Sequence, residues 1–72
     1  MSLYKVAYDI AKGDYPDDFK QALLATKNLN KLSKQDADKV NFDLVQLMNK
    51  YNIDSMDVRD GDIVPNTLKL KN

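Results

Sequence analysis

Four aspartates fall close together near the C-terminus, Asp54, Asp57, Asp60 and Asp62, with Gly61 among them. Carboxylate oxygens on a flexible loop are what a hard cation such as Ca²⁺ takes as ligands. Their spacing argues against a metal site. When Gly61 is aligned with the loop glycine of an EF-hand, Asp60 stands correctly before it, but Met56 and Val58 occupy the first and third ligand positions. Short polar side chains that cap turns and keep a loop solvated account for the cluster better. No metal ligand is assigned.

A second set is basic. Lys20, Lys27, Lys31 and Lys34 are uninterrupted by any acid, and the first three share one stripe of a predicted helix. Such a stripe could contact phosphates, and two helices joined through residues 30–33 could be drawn as a helix-turn-helix. Against this, the would-be recognition helix carries Asp36, Asp38 and Asp43. The chain balances 11 Lys+Arg against 11 Asp+Glu, whereas a nucleic-acid-binding domain normally shows a basic excess. A nucleic-acid contact through these lysines is the alternative reading, behind an ordinary solvated helix face.

Catalytic chemistry has little to work with. The sequence has no His and no Cys, which removes the commonest general base, the thiolate nucleophile and the usual zinc, haem and iron-sulfur ligands. The only two glycines, Gly13 and Gly61, are isolated, so no phosphate-cradling loop exists. No catalytic residue and no cofactor are assigned, and the chain is expected not to be an enzyme.

With 72 residues the chain is expected to form one domain, because a chain of this size buries only about 60% of its unfolded surface. Its N-terminal residues lack the basic and apolar regions of a secretory signal, and no apolar run approaches the ~18 residues of a membrane span. A cytoplasmic protein with no membrane partner is expected. All the acids are Asp, and Lys and Asn are abundant, which points to an AT-rich coding sequence. The type resembles small accessory proteins of AT-rich bacteria and their phages.

The elements follow from periodicity. Leu3, Val6, Ala7, Ile10 and Ala11 recur at helical spacing, Ser2 can cap their start, and Gly13 suits a left-handed C-terminal cap. A helix over about 3–12 is predicted. Pro16 suits a first helical position, Asp17 and Asp18 favour the positive end of the helix dipole, and Phe19, Ala22, Leu23, Ala25, Thr26 and Leu29 form an apolar face. This predicts a second helix over about 16–29. Ser33 to Asp36 reads as a capping box with Asp in the fourth place, and Ala37, Val40, Leu44, Leu47, Met48 and Tyr51 make the strongest stripe. The third and longest helix is predicted over 34–51, stopped by Asn52.

Residues 53–72 read as irregular, with Gly61 marking a turn. Pro65-Asn66 favours a β-turn, so Ile63-Val64 and Leu68 to Leu70 are expected to form a minimal hairpin or an extended tail. The predicted class is all-α, a small three-helix domain.

Apolar surplus remains after the core stripes are filled. Leu24 falls on the lysine side of the second helix, Val45 lies beside the stripe of the third, and Phe42 lies nearly opposite Val40. Either the first helix or residues 63–70 fold across Phe42, or Phe42 and Val45, with Leu24 if it is near, meet another chain. Tyr4 and Tyr8 stand at one edge of the first helix, and tyrosine serves interfaces because it buries area while keeping a polar tip. The expected function is a non-catalytic protein-protein interaction module that binds a protein partner or itself as a homodimer, with Phe42, Val45, Leu24, Tyr4 and Tyr8 as its surface.

Overall fold

The computed structural model describes residues 3–71. Three helices, α1 (Leu3–Ala11), α2 (Asp17–Thr26) and α3 (Lys34–Lys50), are followed by four short strands, β1 (Ile53–Ser55), β2 (Val58–Arg59), β3 (Asp62–Ile63) and β4 (Lys69–Leu70), among the described residues. The Ser2 cap expected for α1 lies outside them.

Chain punctuation follows local chemistry closely. At the end of α1, Gly13 adopts φ 95°, its amide donates to the Ile10 carbonyl at 3.0 Å, and the Asp14 amide donates to the Asp9 carbonyl at 2.8 Å. That pair of bonds is a Schellman cap, which glycine accommodates without a Cβ penalty. At the start of α3 the Asp36 amide donates to Ser33 Oγ at 3.1 Å, so the expected cap forms. Asn52 takes φ 62° just after α3 and ends it as expected.

Helix α2 is shorter than predicted. Pro16 is its N-cap, with ψ 152°, and not its first helical residue. At the other end the Lys27 amide donates to the Leu24 carbonyl at 3.2 Å, three residues back, and residues Leu29–Lys31 form a 3₁₀ turn. Tightening to shorter bonds is a common way for a last turn to close when the sequence, here Asn28-Leu29-Asn30, does not favour helix.

The C-terminal segment departs further from expectation. Strands β2 and β3 pair antiparallel, Val58 with Ile63 and Arg59 with Asp62, through the two-residue turn Asp60-Gly61. Both turn residues have positive φ, 53° and 78°, the signature of a type I′ turn, whose twist matches that of paired strands. The hairpin is therefore at Asp60-Gly61 and not at Pro65-Asn66. A turn does form at Pro65-Asn66, with Asn66 at φ 67° and the Thr67 amide donating to the Val64 carbonyl at 3.3 Å. Its type II character splays the flanking chain, and β4 runs on to pair with β1 instead, Ile53 opposite Leu70. The molecule is mostly helical, but these two small antiparallel sheets make the all-α description only approximate.

Ile10, Phe19, Leu23, Leu44, Tyr51 and Ile53 form the buried core. Every helix and β1 contributes to it. Met56, Val58, Ile63, Leu68 and Leu70 close over it half-buried, so the polar C-terminal segment still supplies apolar cover. Val6, Ala7 and Ile10 of the predicted α1 face are turned inward while Ala11 is exposed, and the Leu3 side chain lies outside the described residues.

Two polar ties hold this arrangement. The Ile63 amide donates to the Tyr15 hydroxyl at 3.2 Å, joining the α1–α2 connection to β3. The Lys71 amide donates to the Asn52 carbonyl at 3.0 Å, joining the last strand to the end of α3. No helix among the described residues is long and apolar enough to cross a membrane.

Candidate interaction surface

Helix α3 turns its core stripe toward α2 and β1, and its opposite side faces solvent. Phe42 is 59% exposed there and Val45 51% exposed. Neither α1 nor residues 63–70 covers them. The first of the two alternatives for Phe42 is thereby excluded within this chain, since a side chain more than half exposed contributes little to its own core.

The surroundings of this pair are polar but not repulsive. At 100° per residue, Gln35, Asp38, Phe42, Val45 and Asn49 fall within an arc of about 80° on the outer side of α3. Lys34 Nζ pairs with Asp38 Oδ2 at 3.1 Å, one turn before Phe42. Lys71 Nζ donates to Asn49 Oδ1 at 2.6 Å, one turn after Val45. The apolar centre therefore has an acidic side chain at one end and a lysine at the other. Asp38, Asn49 and Lys71 were not among the sequence-derived candidates, although the spacing of three and four between residues 35 and 49 could have pointed to the first two.

Leu24 is 42% exposed on α2. The groove between α2 and α3, about 480 Å³, is lined by Ala22, Ala25, Val40 and Leu47 with Asp18, Gln21, Asp43 and Gln46. Phe42, Val45 and Leu24 all lie outside that lining. Tyr4 and Tyr8 are 72% and 60% exposed along α1, and the Lys12 ammonium sits 5.1 Å from the Tyr8 ring centroid in a cation-π contact.

The lysine set is divided by the fold. Lys20, Lys27, Lys31 and Lys34 are all exposed. Lys34, however, is paired with Asp38 on α3, and the stem of Lys27 runs beneath Gly61, where a Cβ on the glycine would come within 2.8 Å of Lys27 Cγ and Cδ.

The aspartates also separate. Asp60 belongs to the β-turn and Asp62 is in reach of the Tyr15 hydroxyl at 3.5 Å. Among the described residues, no three carboxylates gather in a way that could hold a metal ion.

One cluster was not foreseen. Asp18, at the start of α2, accepts from Lys50 Nζ at 2.8 Å, from the Tyr51 hydroxyl at 2.9 Å and from the Phe19 amide at 2.7 Å. The Lys50 ammonium above all, with Tyr51 and the Phe19 amide, holds the Asp18 carboxyl below the usual carboxylate range despite partial desolvation. Asp18 in turn raises Lys50, and burial together with Asp18 raises Tyr51. Residues 32 and 33 positions apart meet here, so neither periodicity nor local motif could reveal the contact. Its chemistry is structural: a carboxylate at a helix start joined to a lysine at a helix end.

Comparison with protein-family models, characterised proteins and solved structures finds no significant match for this chain.

Proposed function

We propose that this protein is a non-catalytic interaction module that self-associates through the outer face of α3, centred on Phe42 and Val45. The observation that carries this reading is a phenylalanine and a valine, each more than half exposed, three residues apart on the longest helix. Surface valines alone are ordinary, but a solvent-facing phenylalanine paired with one is the kind of patch that a partner buries. A second copy is the simplest partner, and its binding would also add stability to a small core by mass action. Tyr4 and Tyr8 on α1 offer a second contact edge of the same amphipathic character.

The setting that fits is the cytoplasm, in the manner of small bacterial or phage accessory proteins. A nucleic-acid contact through Lys20, Lys27 and Lys31 has weaker support. The charge balance is neutral, Lys34 is held by Asp38, and the stem of Lys27 is packed against the hairpin turn.

Light scattering across a concentration series tests the reading. The expected mass rises from one chain toward two as concentration increases, and Phe42→Ala returns it to one chain with helical circular dichroism unchanged. A wild-type monomer at every concentration overturns self-association. Phe42→Ala that unfolds the chain while leaving its mass unaltered would make Phe42 a core residue and overturn the assigned surface.

A further inference from the structure

We infer that the hairpin β2–β3 is a flap, latched to the helices by Tyr15, that undocks as a unit while the rest of the fold stays closed. Its two strands hold two residue pairs, Val58 with Ile63 and Arg59 with Asp62. A two-stranded ribbon that short does not keep its shape alone in water, so it persists by docking.

The apolar part of that docking is shallow. Val58 and Ile63 cover the core half-buried, whereas the buried side chains of the core, Ile10, Phe19, Leu23, Leu44, Tyr51 and Ile53, all come from the helices, their flanking residues and β1. Lifting the hairpin therefore bares one side of the core without removing any of its buried side chains. Segments with few buried apolar contacts occupy the low end of local stability.

One side chain carries the polar attachment. Among the described residues, the hydrogen bonds that join the hairpin to the helical part meet at the Tyr15 hydroxyl, which accepts from the Ile63 amide at 3.2 Å and donates to Asp62 Oδ1 at 3.5 Å. The Tyr15 ring stands against Phe19, with centroids 5.9 Å apart, so the latch is itself anchored in the core. The tip of the hairpin rests on α2, where a Cβ on Gly61 would come within 2.8 Å of the Lys27 stem and 3.4 Å of the Leu23 carbonyl oxygen.

The neck of the flap is closed without help from the helices. The Val64 amide donates to the Asp57 carbonyl at 2.9 Å, and the Asp57 amide donates to Thr67 Oγ1 at 3.0 Å. Beyond the neck, β4 stays on β1, with Ile53 opposite Leu70 and the Lys71 amide donating to the Asn52 carbonyl at 3.0 Å. Residues 57–64 can thus lift while the strand pair on either side of them stays made. Undocking presents Val58, Ile63 and the side of the core beneath them, an apolar surface that the closed fold withholds.

Amide hydrogen exchange of the native protein, in dilute solution and at low urea concentrations, tests the flap. The Val64 amide is expected to exchange at least about tenfold faster than the Leu44 and Leu47 amides of α3, and to respond weakly to urea because undocking exposes little surface. Tyr51→Phe loosens the tie between α2 and α3, which remains made when the flap lifts; it is expected to speed Leu44 and Leu47 and to leave Val64 unchanged. Tyr15→Phe keeps the ring on Phe19 and removes the latch, and is expected to speed Val64 about tenfold, equivalent to about 1.4 kcal/mol. A Val64 amide that shares the rate and urea dependence of Leu44 and Leu47, or that speeds up with them in Tyr51→Phe, overturns the flap, since the hairpin then opens only with the whole chain. A Val64 rate unmoved by Tyr15→Phe overturns the latch. If Tyr15→Phe does not fold, the wild-type and Tyr51→Phe measurements still decide whether the hairpin opens alone.

Discussion

The Tyr51 hydroxyl donates to the Asp18 carboxylate, lying 2.9 Å from Oδ1 and 3.2 Å from Oδ2. Through this contact the end of α3 is fastened to the start of α2. The ring beneath the hydroxyl packs edge-on against Phe19, with centroids 5.9 Å apart and planes at 70°, so one side chain serves the core and the polar tie together.

Tyr51→Phe keeps the ring and removes the tie. A hydrogen bond to a charged acceptor contributes about 1.5–3 kcal/mol, and Asp18 retains Lys50 and the Phe19 amide, so a loss near the lower end of that range is expected in urea denaturation. Combining Tyr51→Phe with Asp18→Asn should cost less than the sum of the two single changes. Strict additivity would show that the contact carries no energy.

Acid and base should each erode stability, with a plateau between them. The depressed Asp18 value gives stability present above about pH 4 and lost as pH falls through the folded-state value. The raised Lys50 value gives stability present below about pH 10 and lost as pH rises through its folded-state value, and the raised Tyr51 value adds a penalty over the same alkaline range. Because Asp18 is 40% exposed, solvent screens both effects and they remain modest. Urea midpoints measured from about pH 3 to pH 11 should be flat through neutrality, and Asp18→Asn should flatten the acid limb. An unchanged acid limb in that variant would assign the loss to other carboxylates.

Gly61 should resist replacement for two separable reasons. Its φ of 78° strains any L-residue by about 1–2 kcal/mol, and an added Cβ would meet the Lys27 stem at 2.8 Å. Gly61→Ala is therefore expected to destabilise by at least that conformational amount. In a Lys27→Ala background the steric part disappears and the conformational part remains. Equal costs in both backgrounds would show that Lys27 simply swings aside.

The helices were legible because their evidence is local. Ile10, Phe19, Leu23, Leu44 and Tyr51 stand on stripes whose period is that of the helix, and these same residues are buried. Gly13, Ser33 and Asn52 mark helix ends through their own backbone and side-chain chemistry. The Asp60-Gly61 hairpin was also written locally, as a dipeptide that favours two successive positive φ values. Reading Gly61 alone as a generic turn obscured it, and the Pro65-Asn66 turn drew the hairpin to the wrong place.

Part of the candidate surface was readable too. Phe42 and Val45 stood off the core stripe in the sequence, and they stand off it in the fold. Leu24 shared their surplus character and is exposed as well, on a different helix. Whether two exposed side chains on different helices meet depends on how those helices pack, which no pattern within either helix contains.

By itself, then, the order of residues determined which segments become helices, which faces they bury and which chemistries are absent, because periodicity, capping and side-chain inventory act over a few positions. Tertiary packing decided what no short window holds: the pairing of β4 with β1, the meeting of Asp18 with Lys50 and Tyr51, and the placing of Lys71 beside Asn49. These join residues from 14 to 33 positions apart. Each forms only once the apolar faces have collapsed and set the distances between elements, and that collapse is a property of the whole chain.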